Sequence, residues 1–374
     1  MKPTEARNNK NLPTKHLLGR LVLILCLFMP ILVSSFPGSP TMKTGVQIPA
    51  EVASGIAHSA NSLLNLLGEK SKQKIHQPAL PGASGSEALS RWTYFPGERP
   101  GLRLDEMTAQ ERVLAQKLVR SSLSDTGHLK WNAIIALEDV LRSMSRAAGG
   151  DDPSRNPGQY TFAIFGDPMG ESPWGWRVEG HHISLKFLLD GDTILSSTPA
   201  FLGAAPTVPM MGPNTGTEIL DEEEDLALAL ARSLAPAQRE IAIQQGQLPR
   251  DVVTGPGNPG APENVGIRRD QLDPSQKILL DTLIVTHLGL MKSAIATAEK
   301  ARIFNANQDE IRFAWWGLLD KGLRHSYRIH GPTFVVELVK VAADPGHVHI
   351  VRRDPQRDLD GSPLLDHLRQ AHGK

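Results

Sequence analysis

Four histidines in two short segments carry the pattern most able to do chemistry: Gly180-His181-His182-Ile183-Ser184-Leu185 and His347-Val348-His349-Ile350-Val351-Arg352-Arg353-Asp354. Imidazole is the commonest neutral metal ligand and the one side chain that ordinarily titrates near neutrality. Both segments read as β-strand, in which successive side chains alternate between faces. On that reading His181 shares a face with Glu179, Ile183, Leu185 and Phe187 and points to the apolar side. His182 falls with Ser184 and Lys186 on the wetter side. His347 and His349, two apart, project together. The expected ligands for a divalent transition metal (Zn, Fe, Mn or Cu) are therefore drawn from His181, His182, His347 and His349, with His182 in second rank.

Two further residues attract a catalytic reading. Glu337 lies between Val335 and Val339 on one strand face, where an unpaired carboxylate is costly; it must be ion-paired, protonated or metal-bound. If Ala342 pairs with His347 across the turn at 343–346, Glu337 falls opposite Arg352, and a one-residue slip puts it opposite Arg353. The alternatives are a cross-strand salt bridge, or Glu337 as ligand or general base with Arg352 binding an anion or the transition state. His330 is an outside candidate for the cluster. Asp354 and Asp358 either orient a histidine or cap and turn the chain, and the bland role is preferred.

Several chemistries lose support. The chain has no Gly-x-Gly-x-x-Gly after a strand, no phosphate-loop Gly-Lys-Ser/Thr and no Gly-x-Ser-x-Gly elbow. With 40 basic and 40 acidic residues the formal charge is zero, so no global field draws it to nucleic acid. A basic lead (Lys2, Arg7, Lys10, Lys15, Arg20) precedes the apolar run Leu21 to Val33, which falls short of the roughly 20 residues of a spanning helix. Residues 1–35 thus read as an export signal or, if uncleaved, a membrane tether, which places the protein in the periplasm, secreted or membrane-anchored. The single cysteine, Cys26, lies inside that run, so a processed chain has neither disulfides nor thiol catalysis.

The elements that must position these residues follow from periodicity. Residues 36–90, rich in Pro, Gly and Ser, read as a flexible linker that one short amphipathic helix over 52–70 interrupts; the globular domain is expected over 91–374. Thr108-Ala-Gln-Glu111 is a capping box opening one helix, and a second covers 130–147. Strands are expected at 160–165 and 174–189, then a proline-rich loop over 199–216. Helices are expected at 219–235, 273–290, 291–305 and 308–318, strands at 325–329, 333–342 and 347–353, and a last helix at 363–370. No repeat shows at solenoid periods. The fold class is α+β: helices on a mainly antiparallel sheet with a C-terminal β-hairpin.

At these residues the chain resembles the DUF3500 family, largely bacterial, often exported proteins of unassigned function. The resemblance rests on Thr108-Ala-Gln-Glu111, Phe165-Gly-Asp-Pro168, Trp174-Gly-Trp176-Arg-Val-Glu-Gly-His181-His182-Ile-Ser-Leu185, Thr198-Pro-Ala-Phe201, Tyr327-Arg-Ile-His-Gly-Pro332, Glu337 and His347-Val-His349, and covers about residues 91–374. It departs at Leu185-Lys186-Phe187, where Leu-Asn-Phe is usual, and at Asp358-Leu-Asp360-Gly361. The resemblance implies homology and no reaction. The expectation is an exported metal-binding enzyme, hydrolytic or oxidative; the alternatives are an exported non-catalytic binding module and a purely structural histidine cluster.

Overall fold

The computed structural model of the chain describes residues 45–77, 91–258, 262–341 and 346–358. Along the chain come β1 (Val46–Gln47), α1 (Ala50–Leu66), α2 (Glu69–Ile75), β2 (His76–Gln77), β3 (Leu102–Arg103), α3 (Ala109–Ser122), α4 (Asp125–Ala147), β4 (Thr161–Phe165), β5 (Trp174–Gly180), β6 (Ile183–Asp190), β7 (Thr193–Ser196) and β8 (Ala200–Ala204). There follow α5 (Asp221–Ser233), α6 (Pro236–Ala242), β9 (Ile267–Arg268), α7 (Pro274–Leu288), α8 (Ser293–Asn305), β10 (Arg312–Gly317), β11 (His325–Gly331), β12 (Phe334–Lys340) and β13 (Val348–Arg353). This is the expected α+β class: a single sheet with the path β2-β4-β5-β6-β8-β13-β12-β11-β10-β9. Among the described residues every pairing of these strands is antiparallel except β2 with β4, and one isolated parallel bridge joins Ile243 to Trp315.

Local chemistry sets the helix starts. Thr108 and Glu111 close the anticipated capping box on α3, and Asp273 with Gln276 does the same for α7. Ser124 accepts from Gly127 N–H, which starts α4 at Asp125 rather than at Lys130. One sheet face carries Ile350, Val348, Leu202 and Leu338 into the main core beneath the helices. The opposite face is smaller and more polar; there Trp92, Tyr94, Phe201, Val252, Val339 and Val351 form a second core.

Several expectations are corrected. Residues 45–77, assigned to the linker, fold onto the domain: Ile56 and Leu63 of α1 and Ile75 of α2 are fully buried, because both helices turn apolar residues into the core. The loop over 199–216 begins with β8, a buried strand between β6 and β13. Pro199 and Pro206 flank its proline-free interior, so no ladder donor is lost inside it. The helix over 308–318 is a 3-10 turn followed by β10, where Phe313 and Trp315 alternate into the core. The supposed continuous strand over 174–189 breaks into β5 and β6 at a two-residue turn, His181-His182. The signal segment, linker residues 78–90, the turn at 342–345 and the helix at 363–370 lie outside the described residues.

The chain is internally duplicated at a period far longer than any solenoid repeat. Gly101-Leu-Arg-Leu-Asp-Glu106 reappears as Gly266-Ile-Arg-Arg-Asp-Gln271, Phe162-Ala-Ile-Phe-Gly166 as Phe313-Ala-Trp-Trp-Gly317, and Trp176-Arg-Val-Glu-Gly180 as Tyr327-Arg-Ile-His-Gly331. Each copy runs strand, 3-10 turn, two helices, 3-10 turn, strand, hairpin and a closing strand. The closing strands β8 and β13 pair with each other. Reciprocal contacts join the helical parts: Ser124 N–H donates to Leu290 O (3.1 Å) and Lys292 N–H to Ser122 O (2.9 Å). An approximate twofold therefore passes between β8 and β13.

Candidate metal centre

His182, His347 and His349 come together beside that twofold. One ring nitrogen from each lies within 4.8 Å of the others. The Nε2 of His347 is 2.9 Å from the Nε2 of His182 and 2.9 Å from that of His349. Each imidazole nitrogen offers one hydrogen or one lone pair, so His347 cannot satisfy both neighbours by hydrogen bonding. One cation satisfies all three lone pairs.

Two of the rings, His349 and His182, are held from outside the triad. The His349 Nδ1 sits 2.7 Å from Asp251; a carboxylate only accepts, so Nδ1 carries the proton and Nε2 keeps its lone pair toward the triad. Tyr94 OH donates to the other Asp251 oxygen at 2.9 Å, and its ring stacks on Phe201 at 3.8 Å and meets the His349 ring edge-on at 5.0 Å. Burial pushes the Asp251 carboxyl upward, but the His349 hydrogen bond and charge outweigh it and hold it below the usual range. Burial, followed by the Asp251 charge, raises the Tyr94 phenol, so it stays a donor.

His182 owes its position to the turn. Its φ is +65°, uncommon for a residue with a bulky side chain. Its N–H donates to Tyr94 O (3.0 Å) and its carbonyl accepts from Gly203 N–H (2.7 Å). Burial first, and then the neighbouring histidines, push its pKa well below the ordinary value, so the ring stays neutral and able to ligate. Gly203, paired with His349 across the β8–β13 ladder, makes room for both rings. A Cβ there would stand 2.8 Å from His182 Cδ2 and 3.0 Å from His349 Cδ2.

The structure exchanges the ranks of the adjacent histidines. His181 stacks on His182 (centroids 3.7 Å apart), but its Nδ1 bonds the buried Glu138 at 2.5 Å and Arg155 Nη1 lies 3.0 Å from its Nε2. Both nitrogens are engaged away from the triad. Strand alternation misjudged the pair because neither residue is on a strand.

Glu337 shares the sheet face of His349, yet its oxygens accept from Val253 N–H (3.0 Å), Thr254 N–H (2.9 Å), the Thr254 hydroxyl and Arg328 Nη2 (3.2 Å). It lies opposite Val351 on one side and Arg328 on the other, so neither anticipated register with Arg352 or Arg353 is adopted. The salt bridge is cross-strand, with a partner on β11. Arg352 points to the helix-covered face and donates to Ser197 and Met291. Asp354 and Asp358 bind Arg302, Arg357 and Arg353 rather than histidine, and His330 stays outside the triad. Asp251 and Tyr94, which touch the centre, sit in loops without a motif; only their types, a carboxylate and a phenol, offered any signal.

A family model described as "Protein of unknown function (DUF3500)" matches residues 49–361. No curated protein and no solved structure matches the chain.

Proposed function

The chain belongs to the DUF3500 family, which lends no reaction, and from geometry we propose that it is a metal-dependent enzyme whose ion is held by His182, His347 and His349. The convergence of three imidazole nitrogens that hydrogen bonding among themselves cannot all satisfy at once carries this reading. Nitrogen-only ligation suits Zn, Cu or Fe better than Mn. His182, His347 and His349 would leave a position for water or substrate on the ion they hold; zinc there would supply hydrolytic chemistry through a bound water of lowered pKa, and Cu or Fe would supply oxidative chemistry. Asp251 orients His349, and Glu337, through its grip on residues 253–254, supports the loop that carries Asp251. Action outside the cytoplasm is part of the proposal, supported by the basic lead and apolar run; cell fractionation that finds the chain in the cytoplasm removes that part.

Elemental analysis of the full chain, purified without a histidine tag, is the test. The expected result is about one transition metal per chain, lost in a folded His347→Ala/His349→Ala variant. Protein that neither carries nor takes up Zn, Cu, Fe or Mn overturns the reading, as does a double variant that retains the metal.

A further inference from the structure

Away from the imidazoles, α3 and α4 enclose an open groove of about 710 Å3 lined by Arg112, Gln116, Lys117, Arg120, His128 and Asn132, with Val113 on its rim. Among the described residues no carboxylate lines it. Arg112 donates through Nε to Met107 O (3.0 Å) and Arg120 through Nε to His128 Nδ1 (3.3 Å), which leaves the terminal guanidinium nitrogens for other partners. Among the described residues none of Arg112, Lys117 and Arg120 forms an ion pair. Three cations within nine residues of one helix repel one another, at a cost of a few tenths of a kcal/mol per close pair.

The duplication supplies an internal comparison. Helices α7 and α8 enclose the corresponding groove, lined by Ile278, Asp281, Thr282, Val285, Lys300 and Phe304. Aligning Gly101 with Gly266 sets Val113 on Ile278, Gln116 on Asp281, Lys117 on Thr282 and Arg120 on Val285. Asp281 is bound by Arg269 at 2.7 and 2.9 Å. The concavity therefore comes with the repeated fold; Arg112 aligns with Lys277, so the cations special to the first copy are Lys117 and Arg120, which Thr282 and Val285 replace in the second. Packing does not require them, because the second copy packs without them.

We propose that the α3–α4 groove binds a phosphate-bearing ligand through Arg112, Lys117 and Arg120, with the amides of Gln116 and Asn132 as further donors. A phosphate monoester matches this set: its charge of about −2 offsets two of the three cations, and its oxygens accept from the two planar guanidinium groups and the ammonium. The groove volume suits a small molecule or a single headgroup.

The test uses the untagged full chain and two probes. Calorimetric titration with fructose 1,6-bisphosphate reads a free phosphate, and flotation with phosphatidylcholine vesicles containing phosphatidic acid reads a headgroup. Saturable binding to either probe is expected. It should weaken at least tenfold, about 1.4 kcal/mol, in an Arg112→Gln/Arg120→Gln variant, whose side chains are exposed and leave the core intact. The variant Lys300→Gln, in the second groove, should bind as the parent does. Binding of the sugar phosphate identifies a soluble ligand, and binding of the vesicle alone identifies a lipid. If neither probe binds, or if binding survives the arginine substitutions because the anion sits at the histidine centre, the proposal is wrong.

Discussion

At the scale of single residues, Gly203 is the most exacting position in the candidate centre. It is neither a ligand nor in a turn; it is required because two imidazoles close over its Cα. Gly203→Ala should force the His182 and His349 rings apart and cost about 1–3 kcal/mol of stability from overpacking. Since the triad depends on those rings meeting, metal affinity should fall more than tenfold. Metal titration alongside thermal melting checks this, and an alanine variant with parental affinity would show that the rings do not act together. Asp251 acts through His349: with its carboxylate fixing the Nδ1 proton, the Nε2 lone pair is directed at the triad.

Elements explain which of these roles the sequence revealed. The capped helices, the closing strands β11 to β13 and the pairing of His347 with His349 on one edge of β13 were legible, because each rests on a short-range pattern. The choice between His181 and His182 was not, since it turns on a two-residue β5–β6 hairpin loop without the Asn-Gly or Asp-Gly that marks such turns. β8 was hidden between prolines, and β10 by a run of large apolar residues compatible with either period. Glu337 was legible as an anomaly and illegible in role, because its partners Val253, Thr254 and Arg328 lie on a loop and a different strand. Apart from the Thr254 hydroxyl, which can turn to accept, its partners are N–H donors, so Glu337→Gln would set an amide NH2 against N–H groups and leave Arg328 without its carboxylate. The substitution should cost about 3–5 kcal/mol, with a melting point lower by on the order of 10 °C, and weaken metal binding through the freed 251–254 loop. A variant that melts like the parent but loses activity would instead make Glu337 a catalytic carboxylate.

On the scale of the whole molecule, the duplication decides where chemistry is available. Zero net charge says nothing about the α3–α4 groove, because cations concentrated in one copy are balanced elsewhere. The twofold between β8 and β13 likewise gives the centre a composite origin. His182 comes from the first copy's hairpin and His347 and His349 from the second copy's closing strand, so neither copy alone contains the triad. At the second copy's equivalent turn, Pro332-Thr333, Arg302 approaches Thr333 O (3.3 Å) and pairs with Asp354 (2.8 Å), an ion-pair cluster where the first copy has histidines. A metal at the triad would therefore staple the two copies at their seam. Ligand that binds only the folded chain at about 100 times its Kd adds about 2.7 kcal/mol, so saturating metal should raise the melting point by roughly 4 °C. Hydrogen exchange should slow together in β8 and β13 and in the β5–β6 turn, and the His347→Ala/His349→Ala variant should show neither effect. Protection confined to β13 would mean that the ion is held by the second copy alone and that His182 is a neighbour rather than a ligand.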